Sequence, residues 1–324
     1  MLEYVFDYGL FLAKLGTVVV AIVVVVGFIV SEMRRGAEQR GLTIEHLNRR
    51  FEELGDTVSR AVLGKARFKQ TAKQRKGERK ELDKKGSQRQ RVFVIDFKGD
   101  IRATATTSLR EEVSAILAVA SEGDRVLVRL ENAGGAVHEH GLAASQLLRI
   151  RQKELPLIIA VDKVAASGGY LMACVASHII AAPFAIIGSI GVIAQLPNFN
   201  RWLEEKGVDF EQVTAGRFKR TLTLFGKNTE EGREKLREEI EDVHDLFKTQ
   251  IATYRPQLDV EQVATGEYWY GTRALELGLI DEIRTSDDFL AEAVAEADLY
   301  KVSYKRRLPL PERILAGAES LLRR

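Results

Sequence analysis

From Arg91 to Pro183 the sequence alternates two kinds of apolar run, and that alternation limits what the chain can fold into. "RVFVIDF", "RVLVRLEN", "LPLIIAVDKV" and "HIIAAP" are short and almost continuously apolar, as strands covered on both faces are. Between them, "SLREEVSAILAVAS", "EHGLAASQLLRIRQ" and "GGYLMACVAS" carry helical spacing. Ser108 and Glu111 stand at capping-box spacing at the head of the first. Strand and helix in series predict an α/β domain whose largely parallel sheet has helices on its faces. Beyond it, "VDFEQVTAG" reads as a strand and Glu230 to Thr253 as a long helix. "GTRALELG" reads as a short helix stopped at Gly278.

The N-terminus is of another kind. Leu15 to Val30 is 16 residues without a charge, and "LFLA" precedes it across Lys14. Roughly 20 residues of helix cross a bilayer core of about 30 Å. Residues 10–30 therefore read as a membrane-spanning helix, with Lys14 reaching back to the interface. A cleaved signal peptide would start basic and end in small residues; "MLEYVFDYG" and "FIVSEMRR" do neither. Residues 31–92 then hold 18 Lys and Arg against 9 Asp and Glu, in a chain whose net charge is only +2. That segment reads as a solvated linker, partly helical or disordered, attracted to anionic lipid headgroups. It lacks the aromatic interleaving or motif of a nucleic-acid site, so no nucleic-acid partner is expected. The expected domains are an anchor (1–31), a basic linker (32–90), a catalytic domain (91–300) and an amphipathic basic tail (301–324).

Three turns after predicted strands bear glycines: "ENAGGAV", "AASGGY" and "IGSIGVI". Strand carboxyl ends are where open α/β sheets bind ligands, and glycines there let backbone N–H groups approach a reacting oxygen. Ser167, in "AASGG", is the candidate nucleophile. Position 165 is Ala, so the G-x-S-x-G elbow is absent, and Tyr170 excludes S-x-x-K. His138 and His140 sit at the start of a surface-type helix and His178 begins a strand. Lys163 lies four residues back along the strand, and Lys219 lies in "TAGRFKRTLT". A desolvated lysine serves as a base because burial disfavours its charged form, and on these grounds alone Lys163 and Lys219 both stand. The single cysteine, Cys174, excludes an intramolecular disulfide. Five histidines without CxxC or HExxH give no zinc pattern, and no metal or other cofactor is expected.

Taken in order, "RLENAGGAVHEHG", "VDKVAASGGYLMACVA", "IGSIGVI" and "VTAGRFKRTLT" resemble the signal peptide peptidase A family. The likeness is greatest to its short, single-domain membrane branch, the SohB-like proteases. It covers roughly residues 91–285 and continues into "TGEYWYGTRALELGLIDEI". The resemblance implies a Clp protease/crotonase-like fold and a serine peptidase with a Ser-Lys dyad. Ser167 matches the family's nucleophile, Lys219 its general base, and Ser189 the hydroxyl that orients the lysine. The N–H groups of Gly134 or Gly135, and of Gly168, match the oxyanion hole. Ala133 departs from the family's pattern, since many relatives carry Pro there.

The expected activity is cleavage of peptides or membrane-associated protein segments. The resemblance also implies a homo-oligomer in which the serine of one subunit meets the lysine of its neighbour, so that one chain alone leaves the two apart. A crotonase-like acyl-CoA enzyme and a non-catalytic membrane scaffold are the alternatives. The first would need carboxylates at the site; the second is opposed by intact Ser167, Ser189 and Lys219. Two expectations for the side of the membrane conflict. The resemblance places the catalytic domain in the periplasm, whereas Arg34, Arg35 and Arg40 after the apolar run favour the cytoplasm.

Overall fold

The alternation of apolar runs builds a parallel sheet with helices on both faces. The computed structural model describes residues 9–11, 14–20, 41–84 and 89–305. The chain divides into a unit spanning Ile44–Ser303 and a unit of the two chain ends, Met1–Thr43 and Tyr304–Arg324. The elements, in chain order, begin with β1 (Gly41–His46), α1 (Leu47–Lys84), β2 (Arg91–Lys98), α2 (Thr106–Val119) and β3 (Arg125–Glu131). Next come α3 (Val137–Gln152), β4 (Leu157–Val161), β5 (Val164–Ala166), α4 (Gly168–Ala173), β6 (His178–Ala181) and β7 (Ile186–Gly188). They continue with α5 (Asn200–Glu205), α6 (Glu230–Tyr254), α7 (Val260–Val263), β8 (Tyr268–Tyr270) and α8 (Gly271–Glu276). The last are β9 (Glu282–Ile283), α9 (Ser286–Glu296) and β10 (Asp298–Lys305).

The main sheet has the order β1-β10-β2-β3-β4-β6-β9, and its pairs from β10 to β9 are parallel. Strand period decides what each face buries. Phe93, Ile95 and Phe97 point into one core with Val126, Val128 and Ile159, covered by Leu109, Val113 and Ile116 of α2 and Leu147 and Ile150 of α3. Val92 and Val94, one residue out of step, enter the opposite core with Leu127, Ile158 and Ile180, under Phe289, Leu290 and Ala293 of α9. Both faces are covered, so these strands are apolar throughout rather than alternating. A second, three-stranded sheet has the order β5-β7-β8, with β5 and β7 parallel and β8 antiparallel.

Several local expectations change. Thr106 begins α2, its N-cap Ala105 makes no side-chain cap, and Ser108 lies inside the helix. Val208–Gly216 is exposed and irregular instead of a strand, and it pairs with no strand among the described residues. The basic segment is helical over Leu47–Lys84 and interrupted at Gly64, whose φ is +70°. β10 carries residues 298–305 across position 301, and 306–324 lie outside the described residues. Residues 21–30 of the apolar run also lie outside them. Among the described residues no helix is long and apolar enough to cross a membrane.

A charge pair between buried Arg255 and partly exposed Asp281 ties the C-terminal part of the core to the short helix α4. Arg255, 3% exposed, donates from Nη1 and Nη2 to both oxygens of Asp281 at 2.7 and 2.8 Å, and from Nη2 to the Gly278 carbonyl at 2.9 Å. The Ile179 N–H donates to Asp281 Oδ2 at 2.7 Å, and Tyr170 of α4 donates its hydroxyl to the Leu279 carbonyl at 2.9 Å. Burial works to raise the Asp281 carboxyl, but the Arg255 and Ile179 hydrogen bonds outweigh it and hold the group below the usual carboxylate range. Nearby, burial pushes the Cys174 thiol up to about 12, so Cys174 behaves as an apolar filler. Removing the arginine takes its charge-assisted hydrogen bonds from Asp281, which is partly exposed and keeps the Ile179 N–H. Arg255→Met is therefore expected to destabilise the fold by about 1–3 kcal/mol in denaturant unfolding. A loss under about 1 kcal/mol would show that Asp281 finds solvent or another partner.

Candidate active site

The site begins where three parallel strands end side by side. β3 runs on into Asn132, which bridges to Ala165: the Asn132 N–H donates to the Val164 carbonyl at 2.9 Å, and the Ala166 N–H donates to the Asn132 carbonyl at 3.0 Å. β5 in turn pairs with β7, Ala166 opposite Gly188. The three glycine-bearing turns of the sequence thus emerge from neighbouring strand ends, and Asn132, Ser167 and Ser189 follow one another across them.

Ser167 sits between β5 and α4 with φ +52° and ψ −120°. A non-glycine residue at positive φ is strained by its own Cβ and persists only where its surroundings hold it. Two backbone bonds do so: the Ser167 N–H donates to the Gly188 carbonyl at 2.7 Å, and the Leu171 N–H donates to the Ser167 carbonyl at 3.0 Å. The hydroxyl is left half-buried, with no hydrogen-bond partner among the described residues. Ser189 is also at positive φ, +50°, and its N–H donates to the Glu267 carbonyl at 2.7 Å.

Gly134 and Gly135 form the wall facing the serine. A Cβ on Gly134, whose φ is +91°, would stand 2.7 Å from Ser167 Cβ and 2.8 Å from both the Ala166 carbonyl oxygen and the Gly168 nitrogen. A Cβ on Gly135 would stand 2.2 Å from the Ile101 carbonyl oxygen. The two glycines differ in what their amides do. The Gly134 N–H donates to Asn132 Oδ1 at 2.9 Å, whereas the Gly135 N–H meets no acceptor among the described residues. Gly168 opens α4, where the first-turn N–H groups have no intrahelical acceptor. Of the glycine amides in these turns, those of Gly135 and Gly168 make no hydrogen bond among the described residues.

Lys219 does not join this group. It lies in a long arm, residues 191–229, that is irregular apart from α5 and largely exposed; its Nζ makes no hydrogen bond or ion pair among the described residues. The arm folds back on itself through Asn198, which donates to the Thr223 and Gly226 carbonyls at 2.9 and 3.0 Å. Lys219 lines a groove of about 670 Å³ there with Leu196, Phe210, Val213, Leu222 and Phe225. Val213 is 99% exposed, Ile193 81% and Trp202 57%. Lys163, the other lysine considered, pairs with Glu131 at 3.1 Å, and His178 contacts Glu282 at 3.2 Å. His138 is exposed.

The sequence reading missed two residues here. Asn132 is buried, and His140 is fully buried rather than on a surface helix face. The signal for His140 was present: Ala143, Ala144, Leu147 and Ile150 form the apolar stripe of α3, and the stripe extended back one turn reaches position 140.

The model for "Peptidase family S49 N-terminal" matches residues 3–147, and that for "Peptidase family S49" matches residues 149–300. A probable protease SohB of Haemophilus influenzae is 46% identical over 329 aligned residues, covering 96% of this chain and 92% of the relative. A probable protease SohB of Buchnera aphidicola from Acyrthosiphon pisum is 55% identical over 229 residues, covering 71% and 68%. Among solved structures, a mutant of the 1510-N membrane-bound stomatin-specific protease in complex with a substrate peptide is 13% identical. It covers 71% of this chain and 98% of that one, with a TM-score of 0.46.

Close packing of Gly134 on the Ser167 turn makes a direct expectation. Gly134→Ala should cut labelling of Ser167 by a serine-directed phosphonate at least about tenfold, the effect of some 1.4 kcal/mol in a barrier. Labelling at the wild-type rate would mean that the turn yields without disturbing the serine.

Proposed function

The chain belongs to peptidase family S49, and on that premise we propose that it is a membrane-anchored serine endopeptidase with Ser167 as nucleophile and Lys219 of a neighbouring copy as general base. The observation that carries this reading is the setting of Ser167: a strained, half-exposed serine at a strand end, with the Gly135 and Gly168 amides of the adjoining turns unused by any described residue.

The reaction follows from those positions. Neutral Lys219 Nζ takes the proton of Ser167 Oγ as the oxygen bonds to the scissile carbonyl carbon. The carbonyl π pair moves onto its oxygen, which the Gly135 and Gly168 N–H groups receive. Donors of this kind, fixed before the reaction, are worth about 3 kcal/mol each. Gly135 is assigned in preference to Gly134 because the Gly134 N–H is already given to Asn132 Oδ1. Collapse of the tetrahedral intermediate breaks the C–N bond, and the proton held by Lys219 passes to the departing amine. Water, deprotonated by the same lysine, then splits the acyl-serine ester and returns the proton to Ser167 Oγ. Ser189 is the hydroxyl that orients Lys219.

A neighbouring copy is invoked because the arm bearing Lys219 leaves much of its apolar surface exposed and gives the lysine no partner among the described residues. Seating the arm on a second subunit would cover those side chains and desolvate Lys219, which is the condition for a neutral lysine. The substrate is an extended peptide or a membrane-associated protein segment. The uncharged run Leu15–Val30 and the basic segment after it support attachment to a bilayer carrying anionic lipid.

Two experiments test the reading. Ser167→Ala and Lys219→Ala should each abolish peptide cleavage when expressed alone, and co-expression of the two should restore part of it. Mixed oligomers that stay inactive would place the base elsewhere or in the same chain. Alkaline carbonate washing should leave the full-length protein in the membrane pellet; release into the supernatant would overturn the anchor.

A further inference from the structure

Below the serine turn lies a buried polar cluster that the reaction does not consume: Asn132, His140 and Met172. All three side chains are buried, His140 with no exposure. The Asn132 carboxamide is oriented by its partners. Its Oδ1 accepts from the Gly134 N–H at 2.9 Å, and its Nδ2 donates to Met172 Sδ at 3.3 Å. Reversing the amide would set two donors against each other at Gly134. The same Oδ1 lies 3.2 Å from His140 Nε2, while His140 Nδ1 lies 2.9 Å from the Ala136 carbonyl. A carbonyl oxygen accepts only, so the ring completes both contacts when each nitrogen carries a proton and one of them when a single nitrogen does. The imidazole also fills the space under Gly168: a Cβ there would stand 2.5 Å from His140 Cγ.

One ring therefore touches both sides of the oxyanion pocket. Through Asn132 it reaches the Gly134 amide, which fixes the peptide leading to Gly135; through van der Waals contact it supports Gly168. We infer that His140 is a positioning residue, which acts through Asn132 and Gly168 to aim the two oxyanion amides. It touches neither Ser167 Oγ nor the substrate. Removing its nitrogens leaves Asn132 Oδ1 with the Gly134 N–H alone, and the Gly134–Gly135 turn then holds its amides less sharply at the place where negative charge appears. Since that charge exists only beside the transition state, the loss should fall on kcat and not on KM.

The inference rests on the proposed role of Ser167, and the test separates the two. Full-length protein in detergent micelles is assayed for kcat and KM on a fluorogenic peptide, with Ser167→Ala as the reference for lost catalysis. His140→Phe keeps a ring under Gly168 and removes both nitrogens; it should lower kcat about tenfold or more with KM within about twofold. His140→Gln, whose amide N–H can still donate to Asn132 Oδ1, should recover most of the loss. Asn132→Leu should lower kcat as well, and the Asn132→Leu, His140→Phe pair should lose no more than Asn132→Leu does. Cleavage retained in Ser167→Ala would end the nucleophile reading itself. With Ser167 essential, wild-type kcat in His140→Phe, or additive losses in the pair, would overturn the inference. So would a rise in KM that accounts for the whole effect. If His140→Phe does not fold, the His140→Gln and Asn132→Leu comparison decides alone: unchanged kcat in Asn132→Leu overturns the proposal.

Discussion

The hydrogen bond from the Ser167 N–H to the Gly188 carbonyl, at 2.7 Å, holds the site in place. It extends the β5–β7 pairing one residue past the regular strand and pins the serine at a positive φ that its own side chain opposes. The turn has little freedom to relax. Gly134 presses on it from one side, α4 begins immediately after it, and Tyr170 on that helix is bonded to Leu279. Leu279 belongs to the segment that Arg255 and Asp281 lock in place. A backbone strained at one residue is thereby supported by a hydrophobic core, an ion pair and a neighbouring strand.

Polar groups around the serine divide into those used by the fold and those left over. Gly134, Asn132 and His140 spend their hydrogen bonds on one another or on the backbone. The amides of Gly135 and Gly168 remain available, and so does the Ser167 hydroxyl. Unpaired amides in the turns around a strained serine are donors of the kind a reacting carbonyl oxygen needs. The arm carrying Lys219 has the same logic on a larger scale. Its apolar residues cover one another only in part, and Lys219 has no counter-charge among the described residues.

Much of this was legible before any coordinates. Continuous apolar runs announced strands buried on both faces, and the two cores with Phe93 and Val94 on opposite sides are what such runs require. Glycines at three strand ends marked where a backbone must come close to something. Misread were features whose local pattern is ambiguous. "VDFEQVTAG" has strand-like composition but no partner edge, and Ser108 has capping-box spacing while the helix begins two residues earlier at Thr106. His140 was read with His138 as lying at the start of a surface-type helix, whereas it is fully buried.

Local period is a property of consecutive residues, so the sequence by itself determined the α/β alternation, the glycine-bearing turn at Ser167 and the apolar N-terminal run. Which strands lie side by side is a property of distant segments, and only the tertiary structure decided it. The bridge from Asn132 to Ala165 and the pairing of Ala166 with Gly188 align three turns that sequence distance keeps apart. Tertiary packing also decided which glycine amide is free, because Asn132 folds its side chain back onto Gly134 and no spacing rule encodes that contact. It left Lys219 on a largely exposed arm, where no described residue pairs with its Nζ.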